Sequence, residues 1–402
     1  MVELTTVLLL TAVAFAGGAF GAALGALPSL AFAGFIVIAG EIMNIGSDVV
    51  AGGGGALGAY GITGSIAFGA GFGPHVAFAG GAAATAYAAR RGKMNTGFDY
   101  HEAKNITYSL GPDPDVLLVG GAFGAAGYLL FYLSNTTLGL PVDPVAVSIV
   151  LTGFLHRIAF GYPLVGAAPE GLLNMTPFER DQRRAPVADG GERGAQSPDS
   201  PSVGSAPADG SRVSSDRSDG AASDVQTGGI DPARAVPGDR RLLVEPWLPH
   251  QYKWPSVAFL GAVVGVFSAY VAWITASPFL GFGITAASLL VLALGMERFP
   301  VTHHMALPAG LLVVALAPGV SGPGIAPAQV QANVSLWLVV VGGAAMGLVA
   351  GLAGELCQRV LYAHADTHLD PPAASIVLTT LLIALLDIAG LFQQSFVPTL
   401  GL

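Results

Sequence analysis

Two decapeptides, DPVAVSIVLT at 143–152 and DPPAASIVLT at 370–379, agree at eight of ten positions although 227 residues separate them. Apolar composition alone rarely repeats that closely from the same Asp-Pro start. The pair marks an internal duplication and confines the chain to folds that two similar halves can build. Further matches keep the same order: His75 in HVAFAGG with His304 in HMALPAG, Val119 in LVGGA with Val341 in VVGGA, and AFAGGAFG at 14–21 with AFLGAVVG at 258–265. Loops of unequal length account for the drift in offset.

What the halves are made of follows from their apolar runs. A helix needs roughly 20 mostly apolar residues to cross a bilayer, and such runs lie near 4–26, 29–46, 66–89, 115–134, 144–163, 255–276, 279–296, 303–320, 335–357 and 372–392. With 52% hydrophobic and only 11% charged residues, the expectation is an all-α, polytopic membrane protein of about ten spans, five per half. The Met1-Val2-Glu3 start has no basic region, so the first run reads as a retained span and not a cleaved signal. Cys357 is the only cysteine, which excludes an internal disulfide and a cysteine-based metal cluster.

The organisation expected is a first membrane repeat over 1–165, a linker over 166–249 and a second repeat over 250–402. Between Asp181 and Arg240 the text is Pro, Gly, Ser, Ala and Asp with scattered Arg and no apolar periodicity. It cannot bury enough surface to offset its ordering entropy and reads as a disordered acidic linker. Only three of the 17 basic residues are lysines, and with the acidic balance this suggests a halophilic source. Five spans per half place all 17 on one side of the membrane, the cytoplasmic one by the positive-inside rule. An odd number of spans also turns the second half over relative to the first, an inverted repeat of the kind found in secondary transporters. The stretch 47–75 has no counterpart of equal length; its glycine density favours a loop or re-entrant element over an eleventh span.

Several residue patterns carry structure more than chemistry. Glycine recurs every fourth residue at Gly17, Gly21 and Gly25, at Gly120 and Gly124, at Gly261 and Gly265, and at Gly343, Gly347 and Gly351. Such rows let helix backbones approach in lipid, and they also offer a route to oligomers. Asp143-Pro144 and Asp370-Pro371 read first as helix starts, Asp capping and Pro at the first turn, with an ion-facing role for the carboxylates as the second reading.

The candidates for solute or ion binding are ionisable groups inside apolar runs: Glu41, Glu355 and Asp387, together with the repeat-related His75 and His304. Charge at membrane depth is costly and usually faces a cavity or a partner, and a histidine near neutral pH suits proton coupling. Arg359, one turn beyond Glu355, is a structural alternative as its ion-pair partner. His156-Arg157 lies at a span end. His364, Asp366 and His368 in HADTHLD are candidate metal ligands, though their place in a predicted cytoplasmic loop without a counterpart in the first half favours a solvated polar loop.

There is no GxxxxGK[ST], HExxH or GxSxG, and a net charge of −9 without a basic groove excludes nucleic acid as a partner. GFGPHVAFAGGAAATAYAARRG and GGAFGAALGALP resemble an uncharacterised family of multi-spanning membrane proteins of halophilic archaea, over much of both halves; the resemblance implies a halophilic setting and no activity. The function expected is a secondary transporter or permease in the cell membrane. It would move a small solute or ion by alternating access, with H+ or Na+ as coupling ion and no other cofactor. The alternative is a non-transporting membrane scaffold or partner subunit or, less in keeping with the motifs, a membrane enzyme.

Overall fold

The computed structural model describes residues 4–51, 61–94, 96, 98–168, 170–184, 241–317 and 326–392, with side chains from 47 to 51 excepted. The part of the expected linker between 185 and 240 lies outside the described residues. Its two ends do not: Arg183 and Leu242 form an antiparallel bridge, and Met175, Val244, Tyr252 and Ala363 share a small core. The folded body therefore extends past 165 and resumes before 250, because Met175, Leu242, Val244 and Leu248 provide the apolar anchors that the residues between them lack.

The first half contributes α1 (Leu4–Leu24), α2 (Ala26–Ala51), α3 (Ala77–Arg90), α4 (Pro114–Tyr132) and α5 (Pro144–Ala159). After the short α6 (Thr176–Glu179), the second half contributes α7 (Trp254–Thr275), α8 (Leu280–Ala287), α9 (Leu289–Ala293), α10 (His303–Ala315), α11 (Pro327–Asn333), α12 (Leu336–Cys357) and α13 (Pro371–Ile388). No strand occurs among the described residues beyond the single bridge. Among the described residues six helices are long and apolar enough to cross a membrane, beginning at Leu4, Ala26, Pro114, Trp254, Leu336 and Pro371. Ten such spans were expected. The other four elements are short for physical reasons: α5 cannot extend back through Asp143-Pro144, α8 and α9 are interrupted at Ser288, and α3 and α10 are buried helices of 14 and 13 residues.

Packing in the first half recurs in the second. α1 packs on α3 and α4 as α7 does on α10 and α12, and α3 meets α4 and α5 as α10 meets α12 and α13. α4 and α12 each run on into a π-helical turn, Leu133–Thr137 and Gln358–Tyr362. The correspondence holds at atomic detail where backbones cross. A Cβ on Gly18 would fall on the Gly120 carbonyl oxygen, and one on Gly265 on that of Gly343. Ala14 and Gly261, and Ala22 and Ala269, flank the two crossings in the same way. This register differs by three residues from the match of AFAGGAFG with AFLGAVVG, because Gly17 and Gly21 face Gly71 and Ala77 instead of α4. Small residues serve both contacts, so letters alone do not choose between them.

The halves meet through α2 against α8 and α9, and α5 against α13. The Asp143 N–H donates to Thr380 Oγ at 2.9 Å, while a Cβ on Gly153 would lie 3.0 Å from Leu369 Cγ. Numbers rise on one helix as they fall on the other, so α5 and α13 are antiparallel. Adding 227 to residue 143 and subtracting it from 380 turns the first contact into the second within one residue. Gly34 against Ala287 and Gly283 against Val37 and Ile38 repeat the pattern for α2 and α8.

Large apolar side chains of α1, α4, α7 and α12 point outward, with Phe259 75% and Trp337 77% exposed. That is the periphery of a membrane-associated bundle. Of the stretch 47–75, residues 47–51 end α2, and the rest of the described part is a π-helical turn, Thr63–Ala67, and an irregular run. A Cβ on Gly40 of α2 would collide with Thr63, so the chain has folded back against α2 by that point. No added span exists among the described residues there.

Candidate functional site

Where the halves meet, α5 and α13 begin inside the bundle. Each start is set by the repeated Asp-Pro: Asp143 Oδ1 accepts the Ala146 N–H at 2.7 Å, and Asp370 Oδ2 accepts the Ala373 N–H at 2.8 Å. The two side contacts of α5 on α13 lie ten residues apart, or about 15 Å along a helix at 1.5 Å per residue. Between them is a cavity of about 220 Å³.

Its walls follow the duplication. Asp143 faces it with Asp370, Ala146 with Ala373, and Ile149 with Ile376, each pair at the 227-residue offset of the two decapeptides. The third helices add Pro74 and Phe78 from the first half and His303 and Leu307 from the second, related by 229 residues like His75 and His304. Four helix starts thus converge on one space. α3 and α10 have no side-chain N-cap, whereas α5 and α13 carry their aspartates. His303 is 3% exposed, packs edge-on to Phe282 at 5.9 Å, and its Nδ1 has no hydrogen-bond partner among the described residues. A second, much smaller space continues between α3 and α5 to Thr152, His156 and His368.

None of the five candidates Glu41, His75, His304, Glu355 and Asp387 lines this cavity. Glu41 instead joins the halves, accepting hydrogen bonds from Thr63 Oγ at 2.6 Å and from Ser277 Oγ across the interface. Glu355 is held by Arg359 Nε at 2.5 Å and by Gln358, the structural alternative noted for it. Arg359 is further fixed by the Leu173 and Tyr252 carbonyls, so this pair anchors α12 to the chain entering α7. Asp387 is half-buried in the last turn of α13.

His75 and His304 are both buried and occupy equivalent places. His75 stacks on Phe131 at 4.6 Å, and His304 rests against Gly354, which lies 223 residues on, the offset of the glycine crossing. Neither nitrogen of His75 has a hydrogen-bond partner among the described residues. The neighbouring residues Pro74 and His303, not these two, reach the cavity.

The HADTHLD segment departs from the solvated loop expected of it. His364, Thr367, His368 and Asp370 are all at least 94% buried. No metal-holding group of His, Cys, Asp and Glu occurs among the described residues. Each candidate is engaged elsewhere: His364 Nε2 with the Leu172 carbonyl, Asp366 with Arg241 and Arg184, and His368 with Asp370 at 3.3 Å. Arg157, fully buried at the end of α5, donates to the Thr367 hydroxyl at 2.9 Å and to the Leu361, Thr367 and Leu164 carbonyls. Lys104 Nζ lies 2.7 Å from Glu245 Oε2 with both side chains at 0% exposure, and Arg241 Nε approaches the other oxygen at 3.2 Å.

This polar layer titrates abnormally. Burial lowers Lys104 to about 8 against the pull of Glu245, and burial together with Arg241 lowers His101 to about 3. Burial also lowers His364 and His368. The layer ties loops of both halves together at one end of the bundle. The opposite end has the neutral hydroxyl contacts of Glu41.

Asp143 and Asp370 read first as caps, with the ion-facing role second, and His303 was overlooked beside its repeat-matched neighbour. The repeated decapeptides were the available signal. The chain belongs to a family described as of unknown function (DUF7973), whose model matches residues 1–206 and 211–400. No curated protein and no solved structure matches it.

Proposed function

We propose that this chain, as a member of that family, is a secondary transporter or permease of a small solute, built from two inverted repeats of five membrane elements each. The observation that carries the reading is the cavity between α5 and α13, walled by repeat-related pairs from both halves. Transporters of this plan hold their substrate near the midplane where related bundles meet, among short or broken helices whose starts point at the site. The antiparallel contacts of α5 with α13 and of α2 with α8 support an axis in the membrane plane.

Alternating access then means rocking of one half on the other about the cavity. The buried polar layer of Lys104, Glu245, Arg241, Asp366 and Arg157 closes one end, and the Glu41–Ser277 contact closes the other. The layer is rich in basic residues, so it belongs at the cytoplasmic face together with the 185–240 linker. H+ or Na+ is the coupling ion, with Asp143, Asp370 and His303 as the groups placed to sense it. Glu355 is reassigned from coupling to anchoring.

The test uses protein with Cys357→Ala and a single cysteine at Ala146 or Ala373, reconstituted in oriented vesicles and treated with a membrane-impermeant thiol reagent. Labelling of the same site from each face in turn, under different ion gradients, is the expected result. If neither position reacts from either face under any gradient, transport is withdrawn and the scaffold reading replaces it.

A further inference from the structure

The cavity combines features that together select one class of ligand. Its charged lining consists of two carboxylates, Asp143 and Asp370, without a lysine or arginine. Neither carboxylate pairs with Lys or Arg among the described residues; Asp370 has only His368, at 3.3 Å. The remaining wall is apolar and rich in rings. Phe68 packs against Phe279 at 5.5 Å and against Phe282 at 5.8 Å, and Phe78 faces them from α3.

Aromatic faces attract cations, and carboxylates in a low-dielectric pocket do so more strongly. An anion would meet two like charges there. A bare metal ion would find two carboxylates at opposite ends of the space and rings between them, a poor oxygen shell. His303 Nδ1, buried and unpartnered at the wall, is a further polar group in search of a partner. Benzene occupies an engineered apolar cavity of about 150 Å³ in another protein, so a space of about 220 Å³ holds about nine non-hydrogen atoms in proportion.

We infer that the cavity binds a small organic monocation, an ammonium group on a compact apolar body. The charged nitrogen lies against Asp143 or Asp370, and the apolar body lies against the phenylalanine wall. This rests on the cavity being the substrate site of the proposed transporter. Because the two aspartates are related by the duplication, the same ammonium group can be handed from one to the other as the halves rock.

Three probes of nearly equal shape and different charge test the inference at equilibrium: benzylammonium, benzyl alcohol and benzoate, titrated into the full-length protein in detergent by calorimetry. Benzylammonium should bind at least about ten-fold more tightly than either other probe. Asp143→Asn or Asp370→Asn, whichever removes the occupied carboxylate, should weaken it by at least about five-fold, and the double variant should do so in either case. Asn retains N-capping, so both helices keep their starts, and an unchanged melting temperature verifies this. Equal or tighter binding of benzyl alcohol or benzoate, no binding of any probe, or undiminished binding by both Asn variants overturns the inference. Benzylammonium binding without cysteine labelling from alternate faces removes the transport reading and leaves the ligand class standing. Alternate-face labelling without benzylammonium binding does the reverse.

Discussion

The Lys104–Glu245 pair offers the sharpest test of how the two halves are held together. Both side chains are fully buried at 2.7 Å, and the ammonium group also lies 4.5 Å from the centre of the Tyr362 ring. Despite that company Lys104 is lowered from 10.5 to about 8, so desolvation outweighs the attraction of Glu245. A depressed lysine is protonated in the unfolded chain up to its ordinary value and in the folded protein only to about 8. Between those limits the unfolded state binds more protons, and stability from this group rises with pH. Lowering the group from 10.5 to about 8 corresponds to about 3 kcal/mol, a cost present below pH 8 and relieved by pH 10.5.

Lys104→Met should remove that slope. At pH 7 it should also relieve that cost and stabilise the fold by up to about 3 kcal/mol, because Glu245 keeps Arg241 at 3.2 Å. Glu245→Gln deprives both cations at once and should cost about 3–5 kcal/mol. The double variant should fall short of the sum by about 2 kcal/mol. Steric trapping in bicelles from pH 7 to 10, comparing each variant with the native chain, measures these quantities. An identical pH slope in native protein and Lys104→Met, or strictly additive variants, refutes the argument.

Other substitutions probe the repeated architecture. Gly18→Ala and Gly265→Ala place a methyl group on equivalent carbonyls, and each should destabilise its half by about 1–3 kcal/mol in the same assay; Gly64→Ala, with open space at its Cβ, should not. His101 accepts the Ala103 N–H through Nδ1 and is lowered to about 3, so acid should destabilise the fold progressively as pH falls below the ordinary 6.5 of the free side chain. His101→Gln should flatten this part of the acid melting curve. Asn135 and Asn333, both exposed, should be glycosylated when the chain is made in a glycosylating host, and Asn174 should not. The reverse pattern, read by gel mobility, would place the polar layer at the outer face.

The sequence by itself determined the elements and their kinship. Asp-Pro fixes a helix start locally, through a side-chain cap and a ring that needs no N–H, so both decapeptides gave their helix boundaries at 143 and 370 without help from the rest of the chain. Apolar runs located α1, α4, α7 and α12 for the same reason, since lipid demands length and apolarity of each helix separately.

Tertiary structure decided everything that depends on which face meets what. The register of α1 against α7 turned on Gly18 and Gly265 approaching carbonyls of α4 and α12, a choice that neighbouring small residues left open. HADTHLD looked solvated because the groups that hold it, Arg157 and Arg241, lie 210 and 125 residues away in the chain. Buried ionisable groups drew notice as sites, yet Glu355 had its partner one turn on. The cavity drew none, because its aspartates were read first as caps and its volume exists only once α5 and α13 run antiparallel. Capping is a local property of a few consecutive residues; a binding space is a property of the gap between surfaces far apart in sequence.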